Sequence, residues 1–121
     1  FKKVNDTYGH TEGDKVLEQL ADILSAAVRR GDIVGRYGGE EFAISLSEIT
    51  KSDCYDFSER LRKQIEKNEF KLSNKTISIT ISMGICSITP QLASDPEEII
   101  KQADCALYMA KKNGRNRVEC C

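Results

Sequence analysis

Arg36-Tyr37-Gly38-Gly39-Glu40-Glu41-Phe42 is the stretch of this 121-residue chain best suited to chemistry. Its two glycines separate Ile33-Val34-Gly35-Arg36-Tyr37 from Phe42-Ala43-Ile44-Ser45-Leu46. Both runs read as short strands, and the second alternates so that Phe42, Ile44 and Leu46 share one face. Gly-Gly between such runs predicts a tight hairpin, because the turn needs positive φ, which glycine reaches without a Cβ clash. Two carboxylates follow at once. Backbone bare of side chains beside paired acids suits a phosphate lying close to a bound divalent metal. Taken alone, the same residues also suit a surface hairpin with solvated glutamates.

The elements that must hold this hairpin follow from periodicity and caps. Residues 1–10, with Asn5, Asp6, Gly9 and His10, read as a loop after a short helical turn. Thr11 is the expected cap of a first long helix, with Asp14 three residues on as a weak capping box. The stripe Val16, Leu17, Leu20, Ile23, Leu24, Ala27 and Val28 has helical spacing, with Arg29 and Arg30 in the expected last turn and Gly31 beyond it. A second helix is expected from about Ser52 to Lys67, burying Cys54, Phe57, Leu61 and Ile65. Ile77, Ile79, Ile81, Met83 and Ile85 alternate with Thr76, Ser78, Thr80 and Ser82 as one long strand, and Asn74-Lys75 turns the chain back from Phe70-Lys71-Leu72. Asp95 caps the last helix, Pro96 opens it, and Glu97 and Glu98 lie at its positive end. Ile99, Ile100, Ala103, Ala106, Leu107 and Ala110 form its inner face, Gly114 closes it, and Arg117-Val118-Glu119 forms a closing strand. The expected class is α/β in the broad sense (α+β): helices packed on a mainly antiparallel central sheet.

Composition narrows the functions. One domain over residues 1–121 is expected from the length. A hydrophobic fraction of 40%, a charged fraction of 31% and a net charge of −1 describe a globular chain with no basic footprint for nucleic acid. No apolar run approaches the roughly 20 residues needed to cross a bilayer, so no direct membrane contact is expected. Five cysteines (Cys54, Cys86, Cys105, Cys120, Cys121) lack zinc-finger spacing and read as reduced thiols of a cytoplasmic protein. Cys120-Cys121 reads as a potentially reactive terminal pair. The chain opens on Phe1-Lys2-Lys3 without an initiator methionine, as part of a longer protein would, and that protein could be membrane-anchored elsewhere.

Four blocks in order resemble the GGDEF domain of bacterial diguanylate cyclases, in its GGEEF variant. They are Phe1-Lys-Lys-Val-Asn-Asp-Thr-Tyr-Gly-His10 with Gly13-Asp14; Arg36 to Phe42; Ser82-Met-Gly-Ile85; and Ala103 to Arg117. The resemblance implies a polymerase-palm-like fold and condensation of two GTP into cyclic di-GMP, with release of pyrophosphate. It implies Mg²⁺ (or Mn²⁺) as cofactor and a homodimer that brings two GTP sites face to face. By the same resemblance Glu40 is the metal-binding carboxylate and possible proton acceptor, Glu41 the neighbouring acid, and Gly38 and Gly39 admit the phosphates. Asn5 and Asp14 read guanine, with His10 a nucleotide-contacting position, and Lys2, Lys111 and Arg115 neutralise phosphate. Arg29 and Asp32, in an RxxD pattern ending six residues before Gly38, imply an inhibitory site for the product, with Arg60 as its supporting arginine. Each assignment has a plainer counterpart: Lys111 and Arg115 also suit a helix C-terminus, Asp14 a first helical turn, His10 a solvated loop.

The family's Asp-x-Asp-x-Phe-Lys stretch is met here only from its Phe onward, so the first strand and the other metal-binding Asp are absent from the 121 residues. The expected domain is therefore one lacking that strand, and this stretch alone need not be active. The alternative is a non-catalytic receptor for cyclic di-GMP or GTP.

Overall fold

The helix stripe that begins at Val16 is the backbone of the first packing unit. A computed structural model describes residues 2–88 and 95–120, with side chains from residue 4. Ten elements run in order: α1 (Lys2–Tyr8), α2 (His10–Ala27), β1 (Ile33–Gly38), β2 (Glu41–Ser45), α3 (Lys51–Lys67), β3 (Phe70–Lys71), β4 (Thr76–Ile77), β5 (Met83–Ile85), α4 (Pro96–Lys112) and β6 (Val118–Cys120). They form two compact units: Phe1–Glu48 with Lys67–Ile79, and Ile49–Glu66 with Thr80–Cys121. This is the mixed helix-and-strand class expected.

In the first unit, Val16, Leu17, Leu20 and Leu24 of α2 are buried, as is Phe70 of β3. Burial of each such side chain contributes about 1.5–3 kcal/mol. The α2 helix also supplies polar clamps to the β3–β4 hairpin. The Gln19 amide donates to Lys71 O at 2.8 Å and accepts from Lys71 N at 2.8 Å, so it mimics a strand partner for a backbone that would otherwise be an open edge. The Glu12 carboxylate accepts from Ser73 N at 3.1 Å, and the Lys15 ammonium donates to the Ser73 hydroxyl. Hydrogen bonding from the Ser73 hydroxyl first, opposed by partial burial and helped by the Ser73 N–H and Lys15, holds the Glu12 carboxyl below its usual range.

In the second unit, Leu61 and Ile65 of α3, Ile85 of β5, Ala106 and Ala110 of α4, and Val118 of β6 are buried. Gly84 lies so close to α4 that a Cβ there would overlap Ala103 O and the backbone of Leu107. That approach, not any turn, is why the position is glycine. The Asp95 carboxylate caps α4 by accepting from Glu97 N at 3.0 Å, with Pro96 next, as expected.

Several expectations are corrected. Residues 1–10 are not mainly loop: α1 covers Lys2–Tyr8, and Gly9, at φ +89°, breaks it from α2. Thr11 is therefore inside α2, and the N-cap is Gly9, which has no side chain to offer. Arg29 and Arg30 lie beyond the helix, because Val28 is already extended and the Asp32 carboxylate takes the Arg29 N–H. α3 starts at Lys51, capped by the Thr50 hydroxyl, which accepts from Asp53 N at 3.0 Å. Ile100 of α4 is 41% exposed rather than core-facing.

The long strand Thr76–Ile85 is two short ones, β4 and β5. Its apolar positions remain more covered than Thr76, Ser78 and Thr80, yet residues 78–82 join no ladder among the described residues. Alternation records which side is covered; a strand also needs a hydrogen-bonded neighbour. Among the described residues the strands pair two by two, β1–β2 and β3–β4 antiparallel and β5–β6 parallel, in place of one central sheet. Thr89, Pro90, Gln91, Leu92, Ala93 and Ser94 lie outside the described residues, as does Cys121 of the terminal cysteine pair.

Candidate functional site

The β1–β2 hairpin forms where expected, but its turn is Gly39-Glu40. Ile33 pairs with Ser45, Arg36 with Phe42 and Gly38 with Glu41, leaving Tyr37 as an extra, bulged residue. Gly39 has φ +48°, in the left-handed region that favours glycine, and Glu40 follows it without a positive φ. Gly38 is still strand, and a Cβ there would meet no protein atom within 4 Å. Its own packing does not call for glycine. The turn is tied from within: Arg36 Nε donates to Gly39 O at 2.7 Å. Arg36 was read only as part of the motif, and its cross-turn position is what gives it this role. The result is an exposed Glu40 on a pinned turn, with Glu41 half-buried at the start of β2.

Beside the hairpin, in the same unit, lies a groove of about 460 Å³. Leu17 and Ala21 of α2 and Val34 and Phe42 of the hairpin give it apolar walls; Asp14, Glu18, Ser25 and Arg36 give it polar ones. It is an open groove, with polar and apolar surface in about equal share. Asp14 lines it. Asn5, His10, Gly38, Gly39, Glu40 and Glu41 do not. Asn5 sits half-buried on α1, its carbonyl accepting from Gly9 N at 2.8 Å, and His10 is exposed at the start of α2. Lys2 opens α1, and its side chain lies outside the described residues.

The RxxD pair is folded in on itself. The Asp32 side chain is only 2% exposed; Oδ2 accepts from Arg29 N at 3.0 Å and from Arg29 Nε at 3.4 Å, and Oδ1 from Ser47 N at 3.2 Å. Arg29 Nη2 donates to Ser47 O at 2.6 Å, while its side chain stays 60% exposed. Burial works against the Asp32 charge, but the N–H groups of Ser47 and Arg29 and the guanidinium outweigh it, leaving the carboxyl below its usual range. The pair thus ties the end of α2 to the end of β2.

In the second unit, Arg60 is exposed on α3, and Lys111 lies half-buried in the last turn of α4. Arg115 follows Gly114 (φ +122°), and its N–H donates to Ala110 O at 2.9 Å, the six-to-one bond of a Schellman closure. Lys111 and Arg115 therefore do not continue one helical face. Arg62, two residues from Arg60, holds Glu59 through Nε–Oε1 at 2.9 Å and Nη2–Oε2 at 3.2 Å, and donates from Nη1 to Asn116 Oδ1 at 2.8 Å. That paired contact lowers the Glu59 carboxyl and raises the Arg62 guanidinium. Sequence reasoning missed it, since partners 54 residues apart leave no local signal. Cys54 is raised, first by burial and then by nearby Cys120.

No group of three or more His, Cys, Asp or Glu converges among the described residues. An exposed glutamate still fits a hard cation such as Mg²⁺, which takes one or two carboxylates and completes its shell with water and substrate phosphate. No helix among the described residues is long and apolar enough to cross a membrane.

The family model described as "Diguanylate cyclase, GGDEF domain" matches residues 1–117. Diguanylate cyclase A of Treponema denticola is 45% identical over 118 residues, covering 98% of this chain and 32% of that protein. The GGDEF domain of DgcB from Caulobacter crescentus in complex with c-di-GMP is similar at TM-score 0.89 and 32% identity, covering 98% of this chain and 70% of that one. The active GGEEF domain of a diguanylate cyclase from Vibrio cholerae is similar at TM-score 0.83 and 34% identity, covering 98% and 74%. The chain spans between 26% and 32% of the length of the first curated relatives it matches.

Proposed function

The chain belongs to the GGDEF-domain family of diguanylate cyclases, and on that premise we propose that it condenses two GTP into cyclic di-GMP and two pyrophosphates. In each half-reaction a ribose 3′-oxygen attacks an α-phosphate, one P–O bond forms, the bond to pyrophosphate breaks, and the 3′-hydroxyl proton leaves. The observation that carries the reading is the Gly38-Gly39-Glu40-Glu41-Phe42 turn in a chain whose residues 1–117 match the family: positive φ at Gly39, bare backbone at Gly38, and an exposed carboxylate at Glu40. Its bare backbone lets phosphate approach closely.

Glu40 would hold Mg²⁺ (or Mn²⁺), which when bound offsets the phosphate charge and activates the attacking oxygen. Glu40 would also take the 3′-hydroxyl proton, with Glu41 beside it. Asp14, in the groove, accepts from the guanine N1–H and N2–H₂ edge, and Asn5 supplies a donor and an acceptor. His10 contacts the nucleotide, while Lys2, Lys111 and Arg115 neutralise phosphates. Because each domain holds one GTP, the reaction needs a homodimer. A cytoplasmic location suits GTP and the free thiols of Cys54, Cys86, Cys105 and Cys120.

The reading extends to product inhibition at Arg29, with Arg60 as the support from another domain. In this reading Arg29, whose side chain is 60% exposed, grips phosphate or guanine, and the covered Asp32 aims it.

The intact protein incubated with GTP and Mg²⁺ tests the function. Cyclic di-GMP and pyrophosphate in a 1:2 ratio, resolved by chromatography, is the expected result. Tight cyclic di-GMP binding with no turnover would replace the enzyme with the receptor reading.

A further inference from the structure

The geometry points to Arg62 and Asn116 as positioning residues that hold the Arg115 guanidinium for substrate phosphate. The inference rests on the reading of Arg115 as a phosphate cation.

Arg115 (φ +62°) and Asn116 (φ +48°) are two consecutive non-glycine residues in the left-handed region, directly after Gly114. Asn tolerates that conformation; arginine has no backbone reason to be there. A turn with only a connecting role would be easier with glycine or asparagine at 115. Arginine in a conformation it does not favour indicates that its side chain is wanted at that place and that something else holds the backbone.

The holders are identifiable. Arg115 N–H is tied to Ala110 O at 2.9 Å, and Arg115 O accepts from Arg117 Nε at 3.2 Å. Asn116 is tied at both ends of its amide: Oδ1 accepts from Arg62 Nη1 at 2.8 Å, and Nδ2 donates to the Glu66 carboxylate. Arg62 is in turn fixed by its two bonds to Glu59, and its side chain is only 13% exposed. None of these bonds ends on the Arg115 guanidinium. The Arg115 guanidinium itself has no hydrogen-bond or ion-pair partner among the described residues and remains exposed. A covered arginine on α3 thus sets the backbone that presents an exposed arginine after α4.

Asn116→Gly tests this in the intact protein, because glycine keeps positive φ without strain while removing the amide tether. Binding of a non-hydrolysable GTP analogue and of guanosine is measured by calorimetry, with circular dichroism and the thermal midpoint as checks on folding. Arg115→Ala should weaken the analogue by about tenfold, as loss of a charged hydrogen-bond donor does. Asn116→Gly should weaken it by roughly fivefold, leave guanosine unchanged, and add less than about twofold on the Arg115→Ala background. Arg62→Lys, which keeps charge but loses the fork, should behave like Asn116→Gly. Equal weakening of analogue and guanosine, or the same loss with and without Arg115, would make the network merely structural and overturn the inference. If Arg115→Ala weakens the analogue and Asn116→Gly does not, the positioning role alone falls. If Arg115→Ala has no effect, the phosphate reading of Arg115 falls first and the inference with it.

Discussion

The hairpin turn at Gly39-Glu40 and the turn after α4 at Gly114-Arg115-Asn116 are both proposed to meet phosphate, yet they are held in opposite ways. The first is a two-residue loop fastened by one bond from Arg36 to its own backbone, and Glu40 stands clear on it. The second is fastened by a Schellman bond and by a four-residue network reaching to α3. The difference follows from what each offers. Backbone N–H groups and a carboxylate shared with a solvated cation need room more than rigidity. A flexible arginine delivers a charge to one place only if its backbone is immobile.

The sharpest break of the comparison is at Glu40. Glu40→Gln in the intact protein should lower cyclic di-GMP formation by at least about 1,000-fold, about 4 kcal/mol of barrier, while thermal unfolding stays within about 0.5 kcal/mol of the parent. Turnover near the parent value would remove Glu40 from the chemistry.

A large structural effect is expected where α4 is held to β5. Gly84→Ala would push a methyl into Ala103 O and the Leu107 backbone, which cannot move without shifting the helix. It should destabilise by about 3 kcal/mol. Gly35→Ala in β1, where a Cβ meets nothing within 4 Å, should change stability by less than about 1 kcal/mol. Urea titrations of the two side by side decide it, and equal midpoints would mean that the α4–β5 contact is looser than described.

Asp32→Ala should give a smaller fall in the thermal midpoint than Gly84→Ala, since it frees Ser47 N and the Arg29 donors on a surface loop. It should also weaken product inhibition, because Arg29 loses its aim. Arg29→Ala should abolish inhibition while leaving catalysis without product intact. A fully inhibited Arg29→Ala enzyme would leave the pair as a loop clamp alone.

The mildest effect is the pH response. Glu12, Asp32 and Glu59 all have folded-state carboxyls below their usual range. Lowered folded values mean that the stabilisation is present above the unfolded carboxylate pKa of about 4 and is lost as pH falls through the folded values. The urea midpoint should therefore be steady near pH 6 and fall towards pH 3. A midpoint that rises on acidification would contradict the three contacts.

Local signals were legible in the sequence. The α2 stripe, the Asp95-Pro96 start of α4, the turn at Asn74-Lys75 and the position of the β1–β2 hairpin all came from spacing and turn chemistry, and the ordered motif blocks carried the family. These depend on residues within a few positions of one another, so periodicity and caps are sufficient. What tertiary structure decided was pairing. Residues 78–82 have strand alternation without a ladder. Residues 2–8, polar enough to read as loop, are helix. Asp32 reads as a ligand-binding acid, and the structure covers it with Arg29 and Ser47. Arg62 and Asn116 meet only because the fold returns residue 116 to α3. For Asp32, held by Ser47, and for Arg62 with Asn116, the deciding partner comes from chain that periodicity does not reach, and hydrogen bonding and desolvation are settled only when that chain arrives.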